Sequence, residues 1–290
     1  MKNHLQRVAA VHDLSGIGHT SLTAIIPILS SMGIQVCPLP TAVLSANTAF
    51  PDFYSHDLTP QLDAIIDHWK KLKINFDAIY SGYLGSSEQV DQVKRLIADF
   101  EAEDLLVFVD PVLGDNGQLY TSFDQSMVEK MRELVTHAGV ISPNLTEAAF
   151  LLGEKYHPEM EQEQAKEWAR RLAAMGPRQV IITSVISPKA KSVTSVIAYN
   201  ATDHRYWKVS CDYLPANYPG TGDAFASVMV GALLQGDSLP IALDRAVHFI
   251  SLGVRATFGH NMSPAEGILL EKILPSLNAP VQLSSYQLLD

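Results

Sequence analysis

Short apolar or β-branched runs alternate with longer stretches of helical period along this chain. The runs at 7–11, 35–38, 78–81, 105–109, 139–141, 179–183, 192–199 and 206–211 predict strands. Between the early strands, 20–32, 61–72, 87–101, 125–138, 145–152 and 161–175 predict helices. Three more helices are predicted near the end, at 223–234, 240–257 and 263–274. Strands followed by helices build right-handed βαβ units. The pattern therefore predicts an α/β fold of three layers, α/β/α, around a mostly parallel central sheet. The last two strands flank Asn200-Ala201-Thr202-Asp203, a turn signal, and predict an antiparallel hairpin. No repeat or linker interrupts the pattern, so one domain over residues 1–290 is expected.

Open α/β sheets bind ligands beyond the carboxyl ends of their strands. Small polar or acidic residues follow five of the predicted strands: His12-Asp13, Ser81-Gly82-Tyr83, Asp110, Ser142-Pro143-Asn144 and Thr183-Ser184. All are expected on one edge, which makes that edge the candidate site.

Pro219-Gly220-Thr221-Gly222-Asp223 opens an apolar helical stretch. A Gly-rich turn at a helix start aims backbone N–H groups and the positive end of the dipole at one spot, which suits phosphate. An aspartate there repels such an anion unless it has a task. A general base beside a phosphoryl group fits both facts, because it takes the proton of the attacking hydroxyl. The alternative is a helix cap, a position Asp favours.

The other motifs are weaker. Gly16-x-Gly18 follows the first strand, but Ser21 stands where a dinucleotide fingerprint needs its third glycine, and no acid ends the second strand. It reads as a tight turn bringing backbone near a small ligand. No P-loop is present. Asp110-Pro111 is either a turn initiator or a holder of hydrated Mg²⁺, which needs only one or two carboxylates. Asn144-Leu145-Thr146-Glu147 is a capping-box pattern, or it places Glu147 on the waters around Mg²⁺. The stretch 115–123 reads as an exposed loop, either a lid or a connector.

Composition narrows the partners. The chain is 47% hydrophobic and 18% charged, enough apolar content for a sizeable core and too little charge for long disordered tails. Thirty-one acidic against 21 basic residues give a net charge of −10, with no basic patch, which argues against nucleic acid. A nucleotide ligand would then need a divalent cation and local dipoles to offset its charge. Cys37 and Cys211 read as reduced core thiols. No signal sequence and no uninterrupted apolar stretch of about 18 residues is seen, so a cytoplasmic protein without membrane contact is expected.

Five segments, taken in order, resemble the ribokinase-like superfamily and, within it, the vitamin B6 (pyridoxal) kinases. They are Ser81-Gly82-Tyr83-Leu84-Gly85-Ser86-Ser87-Glu88-Gln89, Asp110-Pro111-Val112-Leu113-Gly114, Pro143-Asn144-Leu145-Thr146-Glu147, Ile181-Ile182-Thr183-Ser184 and Gly220-Thr221-Gly222-Asp223. The resemblance spans about residues 8–257. It implies transfer of phosphate from Mg-ATP to the 5′-hydroxymethyl group of pyridoxal. It implies that Asp223 is the catalytic base and that Gly220, Thr221 and Gly222 form the anion hole. It further implies that Asp110 and Glu147, with Asn144, serve the Mg²⁺ and cation network, that Thr183 and Ser184 contact ATP phosphates, and that Tyr83 and Thr48 line the ring pocket. Gly18 and Asp13 complete the expected substrate side. A monovalent cation (K⁺ or Na⁺) and a homodimer are also implied.

Two segments depart from the B6-kinase pattern. Asp13 stands where a serine is usual, and Ser45-Ala46-Asn47-Thr48 replaces Ser-Asn-His-Thr. His12-Asp13-Leu14-Ser15-Gly16 leans toward the hydroxymethylpyrimidine kinases. An acidic Asp13 could pair with a ring nitrogen or an exocyclic amine. A hydroxymethylpyrimidine (phosphate) kinase of thiamine synthesis therefore stands as the alternative reading.

Overall fold

The computed structural model describes residues 5–279 and 285–290. One ten-stranded sheet runs through it, built from β1 (Arg7–Ser15), β2 (Gln35–Leu44), β3 (Ser55–Asp57), β4 (Ala78–Ser81), β5 (Leu106–Val109), β8 (Val140–Ile141), β9 (Gln179–Ile186), β10 (Val193–Asn200), β11 (Arg205–Asp212) and β12 (Gln287–Leu289). The spatial order is β12-β11-β10-β9-β8-β5-β4-β1-β2-β3. From β2 across to β9 the strands are parallel; the edges beyond them are antiparallel. A separate two-stranded hairpin, β6 (Gly114–Asp115) with β7 (Gln118–Leu119), projects after β5.

The strand alternation sorts the core into two layers. Ala9, Val11, Ile79, Val107, Val109, Ile141 and Ile182 face one side. There they pack on α2 (Thr59–Lys71), α3 (Ser87–Asp99), α4 (Gln125–Val135), α5 (Leu145–Leu152) and α6 (Gln162–Ala173). Val8, Ala10, Ala78, Tyr80, Phe108 and Ile181 face the other side. That layer holds α1 (Leu22–Ser31), α7 (Thr221–Leu234), α8 (Leu239–Phe258) and α9 (Leu270–Ile273). Period-two alternation puts neighbours on opposite faces, and both faces are apolar because both are covered. Every residue of α7 from Ala224 to Ala232 is buried, as expected of a helix that is apolar all round.

The predicted three-layer sandwich, its mostly parallel sheet and the β10–β11 hairpin are present. Four local expectations need correction. β1 and β2 run several residues past the predicted ends. The predicted loop 115–123 contains the β6–β7 turn, where Asn116 and Gly117 both take positive φ, of 51° and 76°. The helix predicted at 263–274 is a short 3₁₀ turn at Pro264–Glu266 and the brief α9, separated by Gly267 at φ 84°. Cys37 and Cys211 are half-buried free thiols and not core groups. Among the described residues no helix is long and apolar enough to cross a membrane.

Candidate active site

β1 has β4 on one side and β2 on the other, so the winding of the sheet reverses between β1 and β4. The crevice beyond the carboxyl ends at such a reversal is where open α/β sheets take ligands. The acidic residues singled out by sequence gather there. A separate concavity of about 510 Å³ lies at the opposite edge, lined by residues such as Gln6, Asp77, Leu106, Arg178 and Gln179. It contains none of the predicted site residues.

α7 opens the crevice. Its N-cap is Gly220, at φ 82°. A Cβ at that position would sit 1.9 Å from the His19 carbonyl oxygen, so only glycine fits. The first helical bond runs from the Ala224 N–H to the Gly220 carbonyl, 2.9 Å. The N–H groups of Thr221, Gly222 and Asp223 are thus left at the open helix end. Asp223 sits at the third helical position and does not cap the helix. Its Oδ2 instead accepts the Ser21 N–H at 2.8 Å. Burial lifts its carboxyl to about 7; the Ser21 N–H opposes this and the nearby Asp13 charge adds to it. The side chain keeps 15% exposure, an open face toward the crevice.

Asp110 faces this helix end, and Glu147 lies next to Asp110. Asp110 follows β5, is buried, and accepts the Ser142 hydroxyl at 3.2 Å. Burial and the Asp223 charge push it up to about 8. A Cβ on Gly222 would lie 3.9 Å from Asp110 Oδ2, which brings the turn and the carboxylate together. Glu147 forms the capping box read from sequence: Asn144 N–H to its Oε2 at 2.8 Å, and its own N–H to Asn144 Oδ1 at 2.9 Å. It also accepts the Leu113 N–H at 3.3 Å. Burial and the Asp110 charge hold Glu147 well above the usual carboxylate range. Asn144 donates to the Gly114 carbonyl at 3.0 Å and bridges to Thr183 in parallel register.

Two buried carboxylates that oppose each other's ionisation fit a cation with hard oxygen preferences. Among the described residues no group of three or more His, Cys, Asp or Glu is arranged to hold a metal. A pair of buried oxygen donors such as Asp110 and Glu147 is the kind of set that suits a hydrated Mg²⁺, which keeps several waters.

The β1 end forms the other wall. Asp13 is buried and accepts the Ser21 hydroxyl at 2.6 Å and the Ser15 hydroxyl at 3.0 Å. His12 is fully buried, and burial lowers its imidazole to about 3, so it is neutral. Its Nδ1 lies 3.9 Å from Asp223 Oδ1, and among the described residues neither ring nitrogen has a hydrogen-bond partner. The ring packs edge-on against Tyr80, with centroids 4.4 Å apart.

The remaining predicted residues spread outward. Gly18 takes φ 96°, and a Cβ there would collide with the Asn47 amide. Thr48, next in the chain, is exposed. Tyr83 stacks on Phe123, with centroids 5.4 Å apart, and its hydroxyl is 3.2 Å from the Ser122 hydroxyl. Thr183 is half-buried beside Asn144, whereas Ser184 is exposed at φ 59° in the β9 bulge.

Sequence reasoning gave no role to Ser21 or Tyr120, and marked His12 only by its place at a strand end. Partial burial and the charges of Glu147, Asp115, Asp110 and Asp223 hold the Tyr120 phenol above its usual range, although the side chain stays 42% exposed. His19, also near this edge, pairs with Glu271 at 2.9 Å.

A profile of the phosphomethylpyrimidine kinase family matches residues 17–266. A structure from Bacteroides thetaiotaomicron, provisionally described as a phosphomethylpyrimidine kinase and solved with pyridoxal, is 57% identical. It superposes with a TM-score of 0.96 over 99% of this chain and all of that one. The pyridoxal kinase of Lactobacillus plantarum is 32% identical, with a TM-score of 0.86, over 94% of this chain and 97% of that one. The pyridoxine/pyridoxal/pyridoxamine kinase of Bordetella avium is 30% identical over 86% of this chain and 85% of its own length.

Proposed function

The chain belongs to the phosphomethylpyrimidine kinase family of the ribokinase-like superfamily, and on that premise we propose that it transfers the γ-phosphoryl group of ATP to the 5′-hydroxymethyl group of pyridoxal. The observation that carries this reading is the placement of Asp223. A carboxylate lifted to about 7 stands at the open N-terminus of α7, in the crevice at the sheet's reversal. The pyridoxal bound by the 57% identical relative supports the choice of vitamin.

The residues divide the work. The free N–H groups of Thr221 and Gly222 hold the phosphoryl oxygens as charge builds on them. Asp223 accepts the proton of the hydroxymethyl group as the new O–P bond forms and the bond to ADP breaks. Its raised affinity for protons suits it to neutral pH. Asp110 and Glu147 would hold Mg²⁺ through its waters, with Asn144 fixing Glu147. When bound, Mg²⁺ supplies positive charge that offsets the ATP phosphates and the two carboxylates. Thr183 lies on the nucleotide side beside Asn144. Tyr83 offers an aromatic face to the vitamin ring and, through Phe123 and Ser122, ties that face to the segment after β7.

A hydroxymethylpyrimidine kinase is the second reading, favoured by the family profile and by the His12–Gly16 segment. ADP release from Mg-ATP with pyridoxal, pyridoxine, pyridoxamine and hydroxymethylpyrimidine in parallel decides between them. Faster turnover of the B6 vitamers is expected. A clear preference for the pyrimidine would overturn the assignment.

A further inference from the structure

Ser21 stands at the N-cap of α1, where a serine hydroxyl ordinarily satisfies the first turn of its own helix. Here it makes no such bond. Its hydroxyl goes to Asp13 Oδ1 at 2.6 Å. Its backbone is left-handed, at φ 49°, a conformation that a non-glycine residue keeps only when its surroundings impose it. From that conformation the Ser21 N–H reaches Asp223 Oδ2 at 2.8 Å. The other oxygen of Asp13 is taken by the Ser15 hydroxyl at 3.0 Å. The β1–β2 register breaks between His12 and Leu14, beside Asp13. Such irregularities re-aim side chains next to active sites.

Resting on the kinase reading above, we propose that Asp13 is a positioning residue: it anchors the Ser21 hydroxyl so that the Ser21 N–H orients the Asp223 carboxylate toward the acceptor hydroxyl. Asp13 then acts on the reaction without touching the vitamin ring, each of its oxygens accepting one hydroxyl proton. Charge-assisted bonds of this kind are short and strong, as the 2.6 Å contact is. This proposal gives Asp13 an indirect role where the sequence expectation was pairing with a ring nitrogen or an exocyclic amine.

The test is steady-state kinetics and melting temperature for wild type, Asp13→Ala, Asp13→Asn, Ser21→Ala and the Asp13→Ala/Ser21→Ala double variant. Asp13→Ala and Ser21→Ala are each expected to lower kcat roughly tenfold with the pyridoxal KM unchanged. The double variant is expected to be no worse than either single one, because both break one chain of contacts. Asp13→Asn, whose amide oxygen still accepts the Ser21 hydroxyl, is expected within about threefold of wild type. A raised pyridoxal KM with kcat intact, equal in Asp13→Ala and Asp13→Asn, would mean direct pairing with the ring and overturn the proposal. So would additive losses, or losses of kcat that track lower melting temperature and weaker ATP binding. If wild type turns over hydroxymethylpyrimidine and not pyridoxal, the substrate assignment fails, while the same kcat ratios measured on the pyrimidine still decide the role of Asp13.

Discussion

Asp223 and Asp110 face the same crevice, and burial raises both, yet their surroundings differ in kind. Asp223 has one fixed donor, the Ser21 N–H, an open face, and a carboxyl near 7. Asp110 has a hydroxyl donor, is more enclosed, feels the Asp223 charge, and itself raises a second buried carboxylate, Glu147. A carboxylate with an open face and one fixed N–H donor, poised near neutrality, can take up a proton and give it back. Two that face each other ionise together only beside a cation. The same residue type thus serves as a base at one end of the crevice and as a cation holder at the other.

The comparison breaks most sharply at Asp223. Asp223→Ala is expected to lower kcat by roughly 10²–10⁴ while ATP still binds; equilibrium binding and single-turnover rates check it. Glu147→Gln keeps the capping box, since glutamine serves at that position as well as glutamate. It removes the charge, so the Mg²⁺ concentration for half-maximal rate should rise about tenfold or more. An unchanged Mg²⁺ titration would take Glu147 out of the cation network.

The pH profile separates the two acids in the wild type. Asp223 acts only when ionised, and its carboxyl sits at about 7. kcat/KM should therefore fall as pH drops through about 7, by roughly tenfold per unit below it. A profile flat down to pH 5 would mean that Asp223 is not the titrating base. The smallest effect is expected farthest from the acids: Tyr83→Ala should raise the pyridoxal KM several-fold and leave the ATP KM alone, as loss of one stacked aromatic face implies. The reverse pattern would place Tyr83 outside the ring pocket.

The contrast also explains what the sequence could reveal. Strands such as β4 and helices such as α5 have strong local patterns, and the predicted and observed bounds coincide. The turn at Asn116-Gly117 was legible too, since that pair is a hairpin signal, but it lies in a polar segment that reads equally well as a plain loop. The broken helix at 263–274 was not legible. Its apolar residues have helical spacing, and the break comes at Gly267, where a Cβ would meet the Pro219 carbonyl oxygen at 2.9 Å, a contact made far along the chain. Asp223, Asp110 and Glu147 were recognisable as residues because each ends or opens an element. Ser21 was not, because its partner Asp223 lies 202 positions away. In sequence, position 21 shows only the absence of a fingerprint glycine, yet its backbone takes a glycine-like positive φ for another purpose.

The account rests on Asp223 as the base, and Asp223→Asn tests it most directly, since the amide keeps the shape and loses the proton acceptor. Its kcat for pyridoxal phosphorylation would be measured at pH 8, alongside equilibrium binding of pyridoxal and ATP. The account predicts both ligands bound at near wild-type affinity and kcat reduced by at least about 100-fold. A kcat within about threefold of wild type would contradict it.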